Sequence, residues 1–292
     1  MTVPVDAKTL AVEHMRLGDH AFAHYADDDT RWEVLGVFAR LGLARKEKVV
    51  IMADPGVPHD QALQRLFPDG GAEGPLKRGQ LHFSSMRELI FPQHNFTAER
   101  QMGRLREETY RARAEGYAGL RSVIDMAWVA DLGMDVEGVM HRETHAEALF
   151  ADSMYAEICT YDRRRFAPET VEAMRVGHPV ALLERPGDLG SFHFDHGLRL
   201  VGEADWSTRE QWCSALQTAS CRAKDQSLLV DLTPLSFLSV TCAADLLGHI
   251  SRDCRFQQVQ VRCSPFNAAL LRRVGALQID RVVLVETEVT GR

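Results

Sequence analysis

The sequence predicts an α/β protein of two domains, a mostly parallel sheet layered between helices followed by a second, smaller α/β unit. Three observations carry this expectation. Short apolar runs of strand length alternate with amphipathic helical periods through the first 185 residues. The stretch Arg185-Pro-Gly-Asp-Leu-Gly190 then gathers one proline and two glycines, the composition of a linker. Beyond it the pattern restarts with two adjacent strands joined by a tight turn, so the domains are expected at 1–185 and 186–292.

In the first domain, Lys48–Ala53, Gln80–Phe83, Leu120–Asp125, Glu157–Tyr161 and Pro179–Leu183 are apolar runs bounded by turn residues, as in strands buried on both faces. Between them Trp32, Leu35, Val37, Phe38 and Leu41 share one helical face, with Thr30-Arg-Trp-Glu33 as a capping box at its start. Met102, Leu105 and Thr109 repeat the pattern up to a C-terminal cap at Gly116. A third helix is expected from Val136 to Phe150. Such alternation calls for right-handed crossovers. In the second domain, Ser191–Phe194 and Leu198–Val201 are expected to form a hairpin about Asp195-His-Gly197. A helix opens at Thr208 with Thr208-Arg-Glu-Gln211 as its capping box. Strand Ser227–Leu232, helix Thr241–Asp253, strand Gln258–Cys263, helix Pro265–Gly275 and strand Arg281–Glu286 complete it.

Composition narrows the function. The 292 residues are 45% hydrophobic and 26% charged, as in soluble globular proteins. A net charge of -7 argues against direct DNA binding, which needs phosphate-neutralising Lys and Arg. The basic run Arg104–Arg113 is diluted by Glu107 and Glu108 and reads as a solvated helix face. No apolar run approaches the ~20 residues of a membrane span. Met-Thr-Val-Pro-Val-Asp lacks the charged and apolar regions of a signal peptide, so a cytoplasmic location is expected. The six cysteines contain no Cys-x-x-Cys pair and are expected to be reduced core thiols, with no structural zinc site.

The richest segment is Val230-Asp-Leu-Thr-Pro-Leu-Ser-Phe-Leu-Ser-Val-Thr-Cys-Ala-Ala-Asp-Leu-Leu247, a buried strand, a short connection, and a helix opening on Ser239 and Thr241. Together with Gly202-Glu-Ala-Asp205 and Leu270-Leu-Arg-Arg-Val-Gly-Ala-Leu277 it resembles the STAS fold of anti-sigma-factor antagonists, from Phe192 to about Glu286. The resemblance implies a bacterial partner switch: the domain captures an anti-sigma factor with a serine/threonine kinase-type fold, and phosphorylation ends the capture. It places the phosphoacceptor at Thr241, with Ser239 as a second candidate, and the partner surface at Asp205, Ser239, Val240, Thr241 and Cys242. Where antagonists carry Asp-Ser-Ser-Gly, this chain has Ser239-Val-Thr-Cys242. Cys242 is expected to make that loop bulkier and more apolar. A phosphate there would meet unpaired N–H groups and the positive end of the helix dipole, and would add about -1.5 to -2 charges. The alternative is that Ser239 and Thr241 only cap the helix.

The first domain carries Arg16-Leu-Gly-Asp-His20, Tyr25 with Asp27-Asp-Asp29, Phe38-Ala-Arg-Leu-Gly-Leu43, Gly116-Tyr-Ala-Gly-Leu-Arg121, Asp125-Met-Ala-Trp128 and Cys159-Thr-Tyr-Asp-Arg163. From about Leu17 to Leu183 these resemble the MEDS sensory domain, named for methanogens, methylotrophs and the regulator DcmR. The resemblance implies sensing of a small ligand and a RecA-like fold with a degenerate P-loop. No Gly-x-x-x-x-Gly-Lys-[Ser/Thr] occurs, and three carboxylates at a helix N-terminus would repel a triphosphate, so no cofactor is expected. His20, His24, Tyr25, Asp125, Trp128, His141 and Tyr161 are the candidate pocket residues, since ligands of open α/β sheets lie at the strands' carboxyl edge. His20 and His24 read as polar core or pocket wall near a strand end, not as metal ligands. His141 and His145 share a helical face but lack a third ligand. No constellation suggests nucleophilic catalysis. A nucleotide-dependent enzyme and a non-catalytic scaffold remain as alternatives.

Overall fold

The computed structural model describes residues 8–90, 97–131, 133, 138–139, 142, 146–195, 197–223 and 226–287. The chain divides into two compact units, Met1–Pro186 and Gly187–Arg292. In the first, seven strands form one sheet: β1 (Lys8–Leu10), β2 (His20–Tyr25), β3 (Lys48–Met52), β4 (Leu81–Phe83), β5 (Leu120–Asp125), β6 (Tyr155–Asp162) and β7 (Val180–Leu182). Their order is β1-β7-β2-β6-β5-β3-β4, with every pairing parallel. This is the expected parallel three-layer α/β class. Central strands β5 and β6 are buried at every residue, which a sheet covered by helices on both faces requires.

Alternation along the strands builds two cores. Ala21, Ala23, Val49, Ile51, Val123 and Ile158 face one way, against helices Asp28–Ala44 and His59–Leu66. Phe22, Val50, Met52, Ile124, Cys159 and Tyr161 face the other, against Ala98–Ala114, Glu147–Phe150 and Pro168–Gly177. Each residue's parity therefore decides which layer it joins.

Local signals differ from expectation in a few places. The first helix starts before Thr30: Asp27 is its N-cap, with Oδ1 accepting from Thr30 N at 2.8 Å and Oδ2 accepting from Thr30 Oγ1 at 2.8 Å. Asp-x-x-Thr outcompeted Thr-x-x-Glu because the shorter carboxylate reaches the N3 amide directly. Of the expected helix Val136–Phe150, Glu147–Phe150 is a helix, while much of the remainder lies outside the described residues. All six cysteines are free as expected, but Cys213, Cys221 and Cys254 are exposed and only Cys159, Cys242 and Cys263 are core.

The second unit has β8 (Leu189–Phe194), β9 (Gly197–Ala204), β10 (Ser227–Asp231), β11 (Leu235–Leu238), β12 (Gln258–Cys263) and β13 (Val282–Glu286). The order is β11-β9-β10-β12-β13, with β8 antiparallel on β9. The other pairings are parallel. The hairpin closes with Phe194 opposite Gly197, where a Cβ would stand 2.6 Å from the backbone carbonyl oxygen of Leu229, so only glycine fits. Helices Arg209–Arg222, Val240–Arg252 and Pro265–Val274 connect the parallel strands. Thr208 heads the first of them without a side-chain cap, its Oγ1 donating instead to Glu203 O at 2.8 Å. The strand β11 falls within what the sequence offered only as a connection.

Asp253 ends helix Val240–Arg252, and the Arg255 guanidinium donates to its carboxylate at 2.9 and 2.7 Å. Those bonds hold the Asp253 carboxyl down from 3.8 to about 2. A depressed carboxyl contributes stability above its unfolded value that is lost as pH falls through the folded one. We therefore expect Asp253→Asn to flatten the loss of stability of this unit as pH drops from 3.8 towards 2. Acid titration followed by circular dichroism reads it, and an unchanged acid limb would contradict it.

Candidate functional site

In the first unit the site grows from the carboxyl ends of β2, β3, β4 and β5. Asp125 closes β5, almost fully buried, on the face that also carries Tyr25. Its Oδ2 accepts from Tyr25 OH at 3.0 Å, and its Oδ1 accepts from Ala127 N at 3.0 Å. The Arg31 guanidinium lies 2.9 Å from Oδ2, between the Trp32 ring at 4.5 Å and the Tyr25 ring at 5.2 Å. Burial pushes the Asp125 carboxyl up, against the pull of Arg31, Ala127 N–H and Tyr25 OH. The Tyr25 hydroxyl is also pushed up, chiefly by burial and then by the Asp125 charge, so it stays a hydrogen-bond donor. Arg31 thus supplies this buried acid with an internal counter-ion.

Only Ala26 and Asp27 separate the end of β2 from the first helical residue, Asp28. Asp27 already occupies the first-turn amides as cap, and Arg164 spans Asp162 and Asp28, each at 2.8 Å. The turn has neither the length nor the glycines to cradle phosphates.

Beside Asp125 lies a cavity of about 240 Å³. Met52, Met86 and Trp128 give it apolar walls; Asp54, His59, Ser84, Ser85 and Arg87 line it with polar groups. Pockets for drug-sized ligands run ~300–1,000 Å³, so this one suits a smaller molecule with a polar handle. Asp54 is tied to Arg165 at 2.8 Å.

The structure distributes the sequence candidates rather than gathering them. Tyr25, Asp125 and Trp128 belong to this corner. His24 faces a separate recess with Arg163, Phe166, Val171 and Glu172, 3.6 Å from Glu184. Burial lowers its pKa, opposed by the Glu184 charge. Tyr161 is buried, stacked on Phe22 at 5.2 Å and edge-on to Phe166 at 5.5 Å. His20 heads β2 rather than ending it, and sits among Glu157, Cys159 and His178. His141 and His145 lie outside the described residues. The sequence reading missed Arg31, because its partner Asp125 lies far along the chain and no local spacing links the two. It also missed the β3 and β4 residues of the cavity, for which no motif exists.

In the second unit, Ser239 is the N-cap of helix Val240–Arg252, its Oγ accepting from Cys242 N at 3.2 Å. Thr241 is exposed on the first turn. Around it stand Val240 at 62% exposure, Phe237 at 47% and Trp206 at 85%. The Asp205 carboxylate folds the Trp206 turn, accepting from Ser207 N at 2.8 Å, Ser207 Oγ at 2.7 Å and Thr208 N at 3.3 Å. Those bonds hold its carboxyl below the usual range, the Ser207 hydroxyl first. Ser239 N donates to Ala204 O at 2.8 Å, joining that turn to the helix start. Cys242 does not enlarge the loop as expected. It is fully buried, its thiol 3.4 Å from Asp205 O, because the third helical position turns inward.

Fold and site together define a three-layer α/β domain with a parallel sheet, whose turn from β2 to the first long helix is sealed by its own carboxylate. The chain belongs to the MEDS family (MEthanogen/methylotroph, DcmR Sensory domain), whose model matches residues 19–179. Among solved structures it is similar to the flagellar accessory protein FlaH from Methanocaldococcus jannaschii, at 11% identity and a TM-score of 0.39, over 64% of this chain and 80% of that one. A likeness of that size speaks to neither ligand nor activity. No curated protein matches the chain. Among the described residues, no helix is long and apolar enough to cross a membrane.

Proposed function

We propose that this chain is a cytoplasmic signalling regulator. Its MEDS domain senses a small ligand, and its STAS-like unit captures an anti-sigma factor of kinase-type fold until Thr241 is phosphorylated. The observation that carries the reading is the division of labour at one helix start. Ser239 spends its hydroxyl on the cap, while Thr241 stands exposed among Val240, Phe237 and Trp206. Exposed aromatic and apolar side chains on the segments that meet at this helix start suit a protein partner, and a phosphate on Thr241 sets charge against that partner's approach.

The sensory half of the reading rests on the cavity beside Asp125, at the carboxyl edge where ligands of parallel sheets bind. A non-catalytic role is supported by the two-residue link Ala26-Asp27 and by Arg31, which neutralises the buried Asp125 from within the chain. Binding assays on the full chain test the switch: an anti-sigma factor held by wild type and by Thr241→Ala, and released by Thr241→Asp, is the expected result. Equal binding by all three would move the chain to a scaffold role.

A further inference from the structure

We propose that the first unit holds a buried site for a thiophilic divalent metal ion, Zn²⁺ by its chemistry, formed by His20, Cys159 and His178 with Glu157 as fourth donor. It lies on the sheet face opposite Asp125 and plays no part in the function above. One donor atom from each of the first three residues lies within 4.8 Å of the others. Strand register assembles them: His20 stands opposite Glu157, and Phe22 opposite Cys159, so alternation sends all these side chains to one face. His178 arrives from the end of helix Pro168–Gly177, its ring centroid 4.3 Å from that of His20.

The spacing suits a tetrahedral ion. Metal–donor bonds of about 2.0–2.3 Å place neighbouring donors roughly 3.3–3.8 Å apart. His20 Nε2 is 3.8 Å from Cys159 Sγ and 3.6 Å from Glu157 Oε1. The third edge of that trio, Cys159 Sγ to Glu157 Oε1, is 3.0 Å and is a thiol hydrogen bond that opens when the thiol is metallated, and the His178 donor lies within 4.8 Å of those of His20 and Cys159.

Both rings are set in the ligating tautomer. His178 Nδ1 lies 2.7 Å from Met174 O, and a carbonyl only accepts, so Nδ1 carries the proton and Nε2 the lone pair. A backbone carbonyl on the distal nitrogen is the usual outer partner of a metal-bound imidazole. At His20 the Arg142 guanidinium, which only donates, lies 3.5 Å from Nε2 and 3.7 Å from Cys159 Sγ. Arg142 also pairs with Glu157 Oε1 at 2.5 Å, so it is the cation these donors share without metal, and an ion takes its place only when that guanidinium leaves Oε1. Tyr155 OH, bonded to the other Glu157 oxygen, holds that carboxylate in position. Binding releases the Cys159 thiol proton to solvent, and no electron moves. With Arg142 withdrawn from Glu157, the thiolate and the Glu157 carboxylate balance the ion's two charges.

The experiment uses the full chain, purified without chelators and loaded with Zn²⁺ or Co²⁺. We expect one Zn²⁺ per chain by elemental mass spectrometry. The Co²⁺ form should show tetrahedral d–d bands and a thiolate-to-cobalt charge-transfer band. Cys159→Ser should lose the charge-transfer band, His178→Gln should lose stoichiometric metal, and Cys263→Ser, a buried thiol of the second unit, should keep both. A wild-type chain that takes up no metal, or takes up Co²⁺ without the charge-transfer band, overturns the proposal. So does a band that survives Cys159→Ser. Should either variant fail to fold, the wild-type cobalt spectrum decides alone.

Discussion

Replacing Arg31 with alanine is expected to destabilise the N-terminal unit by about 3–5 kcal/mol, the cost of leaving a buried charge without its partner. The partner is Asp125, 2.9 Å away, and both side chains are almost wholly buried. Burial already pushes the Asp125 carboxyl up, so without Arg31 it would take a proton or draw in water. Adding Asp125→Asn should recover much of the loss, because the amide Oδ1 still accepts from Ala127 N, Nδ2 can donate to the Tyr25 hydroxyl oxygen, and the stranded charge is gone. Urea unfolding of the two single variants and the double variant measures this directly. Additive single effects would mean that the two residues contribute independently and that the internal counter-ion account is wrong.

The second large effect is on capture. Trp206→Ala is expected to weaken partner binding by about 2 kcal/mol or more, on the scale of an interface hot spot. Stability should change by no more than ~0.5 kcal/mol, since the side chain is 85% exposed and its turn is held by Asp205, not by the indole. Titration calorimetry against the captured partner, beside thermal unfolding of the variant, separates the two. Unchanged affinity would remove Trp206 from the partner surface.

Much of the architecture was legible because it is carried by local pattern. The runs at Lys48, Leu120 and Glu157 are long, apolar and bounded by turns, and each is a strand of the first sheet. Leu81–Phe83 and Val180–Leu182, only three residues each, were legible within apolar runs bounded by turn residues, whereas Lys8–Leu10 and Leu235–Leu238 were not singled out as strands. The site was only half legible, and the reason is parity. His20, His24 and Tyr25 were grouped as one pocket, yet along β2 the even positions face Cys159 and Tyr161 while Tyr25 faces Asp125. Alternation stood in the sequence, but only the register says which neighbour each face meets. The His20, Cys159 and His178 cluster had no readable spacing, since it is made by β2, β6 and a helix end far apart in the chain. Likewise, Thr241 could be located from the motif around it, but its exposed apolar rim, with Trp206 supplied by a separate turn, could not.

The central claim is that a charge at Thr241 controls capture, and the affinity of the anti-sigma partner for wild type, Thr241→Ala and Thr241→Asp tests it most directly. The account predicts near-equal affinity for the first two and a loss of at least about tenfold, or 1.4 kcal/mol, for Thr241→Asp. Three equal affinities, with the aspartate variant folded, would contradict it.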